Sequence, residues 1–149
     1  MKWSKLYNPL MIGLLRSPLH GLVSRWFMLV TFTGRKSGRT FTTPVEHFRI
    51  GDDIAFLTRR ERRWWRNLQH GAPVTLRLHG HDVRGTATTS AGDPAHYRAA
   101  LEAYLTRYPN RLTVFGASRD ETGGLHIPAP EEAVAQTVIV RVTPERAIG

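Results

Sequence analysis

Apolar and polar positions change their period several times along this chain, and each change marks an expected element. Leu10, Met11, Leu14 and Leu15 fall on one helical face, with Pro9 placed to open the helix and Pro18 to interrupt it. Residues 1–25 are therefore expected to form a helical arm. Residues 26–33 are rich in aromatic and β-branched types and predict a buried strand. A basic turn follows at 34–38. Residues 40–50 predict a second strand, in which Pro44 implies an edge position or a bulge. Gly51 and Asp52 form a hairpin turn, and 54–58 a third strand.

Residues 61–70 predict a short helix, ended by Gly71 with Pro73 beyond it. Two further strands, 74–78 and 82–89, meet across a turn at His79 and Gly80. Asp93 and Pro94 give an N-cap and a first-turn proline to a helix that runs to about Tyr108 and stops at Pro109. Residues 112–115 form a short piece, 122–130 a Gly/Pro loop, and 136–142 the last strand. Six strands with short connections and three helices predict a mainly β (α+β) architecture: a small antiparallel barrel with peripheral helices. No βαβ alternation supports a doubly wound fold. The 149 residues suit a single domain, 1–149.

Composition sharpens this. The chain has 21 Lys and Arg against 12 Asp and Glu, a net charge of +9, and only Lys2, Lys5 and Lys36 are lysines. Such a surplus implies an acidic partner, and arginine favours bidentate contacts with phosphate or carboxylate. There is no cysteine, which excludes disulfides and thiolate chemistry. No stretch reaches the roughly 18 apolar residues of a membrane span, and no secretory signal is evident, so a cytoplasmic protein is expected. The arm reads as a cover over one barrel mouth, in preference to a helix that contacts a membrane surface or a second copy in a homodimer.

Two segments carry candidate chemistry. The first holds Arg35, Lys36, Ser37, Gly38 and Arg39, three cations and a hydroxyl in a glycine-flanked turn. Its backbone amides and cations suit a phosphate, although the spacing is not that of a P-loop. The second runs from Thr58 through Arg59, Arg60, Trp64 and Asn67. Five arginines at a helix start oppose the macrodipole, which points either to a nearby anion or to a solvated basic face. The seven histidines form no metal spacing, so no metal site is expected. The Arg/Trp run could stack and contact a nucleic acid, but no nucleic-acid motif accompanies it, and that partner is disfavoured.

The run Val30-Thr31-Phe32-Thr33-Gly34-Arg35-Lys36-Ser37-Gly38-Arg39, then Thr43-Pro44, then Trp64-Trp65-Arg66-Asn67-Leu68, resembles the deazaflavin (F420)-dependent nitroreductase family. That family lies within the split β-barrel superfamily of flavin and deazaflavin oxidoreductases. The likeness is good over 31–89 and looser to Pro109. It implies a six-stranded split barrel that binds coenzyme F420, with FMN as the alternative, and transfers hydride to a small-molecule acceptor such as a quinone or nitro compound. By resemblance, Arg35, Lys36 and Arg39 hold the phosphate region. Thr43 and Pro44 run beside the ring, Thr58, Arg59 and Arg60 stand where a phosphate-contacting lysine is found, and Trp64 and Asn67 border the cofactor. Family tyrosines that line the acceptor pocket have Arg111 and Val114 at their comparable places here, leaving Tyr108 as the candidate acceptor-pocket residue. No catalytic acid/base dyad is implied. An FMN-binding oxidoreductase and a non-catalytic ligand-binding barrel are the alternatives.

Overall fold

The computed structural model describes residues 2–146, with side chains from Pro9 onward; Met1 and 147–149, part of the expected 1–149 domain, lie outside them. The arm begins with α1 (Lys2–Arg16), which runs through Pro9 instead of starting there. Its apolar stripe supplies the reason: Met11 and Leu15 are buried against Leu29 of β1 (Phe27–Thr33). Packing of that stripe outweighs the backbone hydrogen bond that a proline forfeits. Because α1 lies on β1 and β2 (Thr40–Glu46), it covers the outer wall of the barrel and not a mouth. Pro18–Leu22 adds one 3-10 turn, capped by the Ser17 hydroxyl.

The strands alternate as the sequence requires. Met28, Val30 and Phe32 of β1 point into the barrel while Leu29 points out to α1, which is why the segment reads as continuously apolar. The expected strand over 40–50 is broken at His47 into β2 and β3 (Phe48–Ile50). His47 is one of two buried polar residues among the described residues, the other being Ser24. Its amide donates to the Trp26 carbonyl at 3.0 Å, and a ring nitrogen lies 2.9 Å from the Ser24 carbonyl. Satisfying that backbone is what stabilises the break.

β4 (Asp53–Arg59), β5 (Ala72–Leu78), β6 (His81–Ala91) and β9 (Thr137–Pro144) complete one antiparallel sheet in the order β2-β1-β5-β6-β9-β4-β3. Its two edges, β2 and β3, are consecutive in the chain and joined through His47. The sheet must therefore curl until its edges meet. The result is a half-open barrel of seven strands, with the split between β2 and β4. The change from six strands to seven is the His47 break alone. Pro44 sits on the edge strand, where its missing N–H costs no ladder bond.

Outside the barrel, α2 (Pro94–Arg107) is capped by Asp93, whose carboxylate accepts from the Ala95 and His96 amides. Tyr97, Leu101, Tyr104 and Leu105 form its buried stripe against Phe48 and Ala55. After two short 3-10 turns, a small ribbon forms from β7 (Ser118–Arg119) and β8 (Leu125–His126). A short helix α3 (Glu131–Gln136), in a stretch left mostly unassigned by the sequence reading, then feeds β9. No helix among the described residues is long and apolar enough to cross a membrane.

Candidate functional site

The turn after β1 is held by its own backbone. Gly34 donates to the Arg39 carbonyl at 2.8 Å, Gly38 donates to the Gly34 carbonyl at 2.9 Å, and Arg39 donates to the Ser37 hydroxyl at 3.2 Å. Gly38 has φ +69, and a Cβ at Gly34 would lie 2.7 Å from the Ser37 hydroxyl, so both glycines are required by the geometry. The Arg35 amide donates to the Asn67 side-chain carbonyl at 2.9 Å, and the Asn67 amide group donates to the Trp64 carbonyl at 2.9 Å. The two segments singled out in the sequence are thus fastened together by one asparagine. These bonds leave the Lys36 and Ser37 amides at the tip outside the set.

The expected helix over 61–70 is instead two 3-10 turns, Arg60–Arg62 and Trp64–Leu68, hinged at Arg63 with φ +59. One regular helix would set Trp64 and Trp65 on different faces. The hinge brings both inward: the Trp65 indole donates to the Arg60 carbonyl at 3.0 Å, while Trp64 stacks between Phe32 at 5.5 Å and Phe56 at 5.7 Å. Phe41 stacks on the far side of Phe32 at 5.7 Å. This row of four rings connects two recesses. The smaller, about 320 Å³, is lined by Arg35, Lys36, Ser37, Arg63, Arg66 and Asn67, with Gly34 and Phe41. The larger, about 800 Å³, opens at the β2/β4 split and has Trp64 in its wall.

The two recesses differ in charge. No carboxylate lines the small one, and none of its four cations enters an ion pair among the described residues. The large one is mixed, with Arg59 and Arg62 beside Glu46 and Glu132, and an aromatic wall from Phe27, Tyr97, Tyr104 and Phe115. Glu46 is bound by Arg111 and accepts from the Tyr104 hydroxyl at 3.1 Å; Arg111 also donates to that hydroxyl. Burial, followed by the Glu46 charge, raises the Tyr104 pKa, so the phenol stays protonated. The hydrogen bond to Glu46 likewise raises the Arg111 pKa.

The structure brings Arg35, Lys36, Ser37 and Asn67 to the small recess and Thr43, Pro44, Thr58, Arg59 and Trp64 to the large one. Gly38 shapes the turn without lining the recess. The Arg39 side chain, exposed at the end of the turn, lines neither cavity, and Arg60 turns away toward the Ala135 carbonyl. Tyr108 lines neither recess. It is 3% exposed, its hydroxyl donates to the His47 carbonyl at 2.6 Å, and burial pushes its pKa up to about 12. Sequence reasoning missed Tyr97, Tyr104 and Glu46. The signal was the spacing within α2: Tyr97 and Tyr104 lie two turns apart on the stripe that also carries Leu101 and Leu105.

A family model described as F420H(2)-dependent quinone reductase matches residues 18–118. No curated protein matches the chain. Among solved structures, the heme storage protein HutZ of Vibrio cholerae is similar at TM-score 0.57 and 11% identity, covering 89% of this chain and 92% of that one. A protein of unknown function from Agrobacterium tumefaciens is similar at TM-score 0.54 and 16% identity, over 89% of this chain but 57% of its own length, so this chain spans little more than half of it. An FAD and heme binding protein from Mycobacterium smegmatis is similar at TM-score 0.52 and 19% identity, over 90% of this chain and 67% of that one. These likenesses establish the fold.

Proposed function

Because the chain belongs to the F420H2-dependent quinone reductase family, we propose that it reduces a quinone, or a nitro compound of similar shape, in the recess at the β2/β4 split. The protein is an oxidoreductase and its cofactor is coenzyme F420. The observation that carries the finer reading is the row of rings from Phe41 to Phe56 between a carboxylate-free cationic recess and an aromatic cavity. A cofactor with an anionic part and a flat ring system needs both, side by side.

The residues fit that group. Arg35, Lys36 and Ser37 would hold the phosphate, with Arg63 and Arg66 adding positive potential and Arg39 steering from the rim. Thr43 and Pro44 of the edge strand, with Trp64 opposite, would flank the ring. When bound, the reduced deazaflavin supplies a hydride. The chain supplies position and dryness. Phe27, Tyr97, Tyr104 and Phe115 give a planar acceptor an apolar wall that excludes water. Arg111 fixes the Tyr104 hydroxyl and Glu46 in one arrangement, so that wall keeps its shape.

Purified protein should bind F420 and, when loaded with its reduced form, turn over menadione. Binding without turnover of menadione or a nitroaromatic would remove the acceptor assignment and leave the cofactor site intact.

The arm supports contact with an anionic membrane surface. Leu10, Leu19, Leu22 and Trp26 are exposed, Arg16 and Arg25 stand among them, and the first carboxylate in the chain is Glu46. The protein should sediment with phosphatidylglycerol vesicles and not with phosphatidylcholine vesicles, and Leu19→Glu with Leu22→Glu should abolish this. A stable dimer broken by the same pair would assign the face to a second copy instead.

A further inference from the structure

A third recess, of about 430 Å³, lies where the β5–β6 turn, the His47 break and the end of α2 meet. It shares no lining residue with the two recesses above. The β5–β6 turn follows the C-terminal end of β5, which runs antiparallel to β1. The recess therefore sits at the other end of the barrel wall from the turn at 34–39. Its polar wall is His47, Arg49, His79, Thr106 and Arg107; Leu78 and Ala103 are among its apolar parts.

No carboxylate lines this recess. The His47 and His79 rings meet edge to face at 5.4 Å. The charged groups that act on the two rings are Arg49 from β3, Arg107 from α2, His20 from the arm and His81 from β6, all of one sign. Arg49 enters no ion pair among the described residues. Arg107 donates to the Arg25 carbonyl and lies over the Tyr108 ring at 5.0 Å, and neither contact neutralises it. Arg111, only four residues on, shows the contrast, because it is given Glu46. Converging like charges repel, and a fold that leaves them without a carboxylate is arranged for an anion from outside. A metal ion is excluded by the two guanidiniums, and no group of three ligands suited to one occurs among the described residues.

We propose that this recess binds a small phosphorylated metabolite, its phosphate held by Arg49 and Arg107 with His79 beside them, and its organic part lying on Leu78 and Ala103. The site is a second ligand site, separate from that of the cofactor. His47 and His79, whose pKa values burial lowers from 6.5, gain protons as pH falls beneath that value. For a given charge state of the phosphate, whose own second pKa is about 6, binding therefore tightens toward lower pH.

The test is a calorimetric titration of the intact protein with glycerol 3-phosphate and, in a second arm, inorganic phosphate, at ionic strength held constant with chloride. Saturable binding is expected, at least tenfold weaker in Arg49→Gln, which replaces an exposed side chain and leaves the fold untouched by circular dichroism. Arg35→Ala with Lys36→Ala should not change it. His79→Gln should flatten the tightening in the window beneath pH 6.5. A heat that disappears in the Arg35/Lys36 variant and survives in Arg49→Gln would place the phosphate on the cofactor turn and overturn the proposal, as would a response no larger than that to chloride. Equal affinity for the two ligands would remove the organic part of the assignment.

Discussion

Arg35 lines the small recess, Arg111 holds two residues of the large one from behind, and the two arginines meet different company. Arg35 stands with Lys36, Arg63 and Arg66 around a recess without a carboxylate, on a turn braced by Asn67. Arg111 is bound to Glu46 and to the Tyr104 hydroxyl, and stacks on Tyr104 and Tyr108 at 5.9 and 5.1 Å. A cation that already has its carboxylate holds the protein together, whereas a group of cations without one is prepared for a ligand. Removing each should therefore register in a different measurement.

The largest expected effect is on stability. Arg111→Met should leave the half-buried Glu46 carboxylate without its countercharge, with the Tyr104 hydroxyl as its remaining donor, and cost about 2 kcal/mol, read as a lower Tm; an unchanged Tm would mean that the cluster is ornamental. Adding Glu46→Gln to that variant should recover part of the loss. Next, Arg35→Ala with Lys36→Ala should weaken F420 binding at least tenfold, about 1.4 kcal/mol, with Tm unmoved and the salt dependence of binding reduced. Equal stability loss in both variants would erase the distinction drawn above.

Asn67→Ala tests the brace between the two segments. It removes the acceptor of the Arg35 amide and should weaken F420 severalfold, about 1 kcal/mol, through misplacement of the turn alone. The smallest effect is on pH. Burial, above all other causes, lowers the pKa of His47 and of His79 from the ordinary 6.5. Below pH 6.5 the unfolded chain then binds more protons than the folded one, so stability falls as pH drops through the window beneath 6.5. His47→Gln should flatten that slope in urea melts across the window.

Much of the barrel was legible because strand periodicity and turn residues agree over most of the sheet. The basic turn was legible because Gly34 and Gly38 flank its cations. What escaped was decided by tertiary contacts. Nothing local marks His47 as a strand break; its amide is satisfied by Trp26, its carbonyl by the Tyr108 hydroxyl and its ring by the Ser24 carbonyl, all more than twenty positions away. Trp64 and Trp65 read as part of a helix, and only the rings of Phe32 and Phe56 make a hinge at Arg63 worthwhile. Tyr108 was a candidate through the family resemblance, yet Tyr104 takes the place in the cavity wall, while Tyr108 leaves the helical backbone at the end of α2 and turns onto the His47 carbonyl. The Glu46–Arg111 pair joins positions far apart in the chain, beyond what spacing can reveal.

The position of β9 sets the order in which this protein can be made. It lies between β6 and β4, pairing Val142 with Ile54 on one side and with Ala87 on the other. As the chain emerges from the ribosome, β4 and β6 wait as unpaired edges until residues 137–144 arrive. Closure is thus a late, long-range event, and the chain in the interval before it is the species that a chaperone would need to shield.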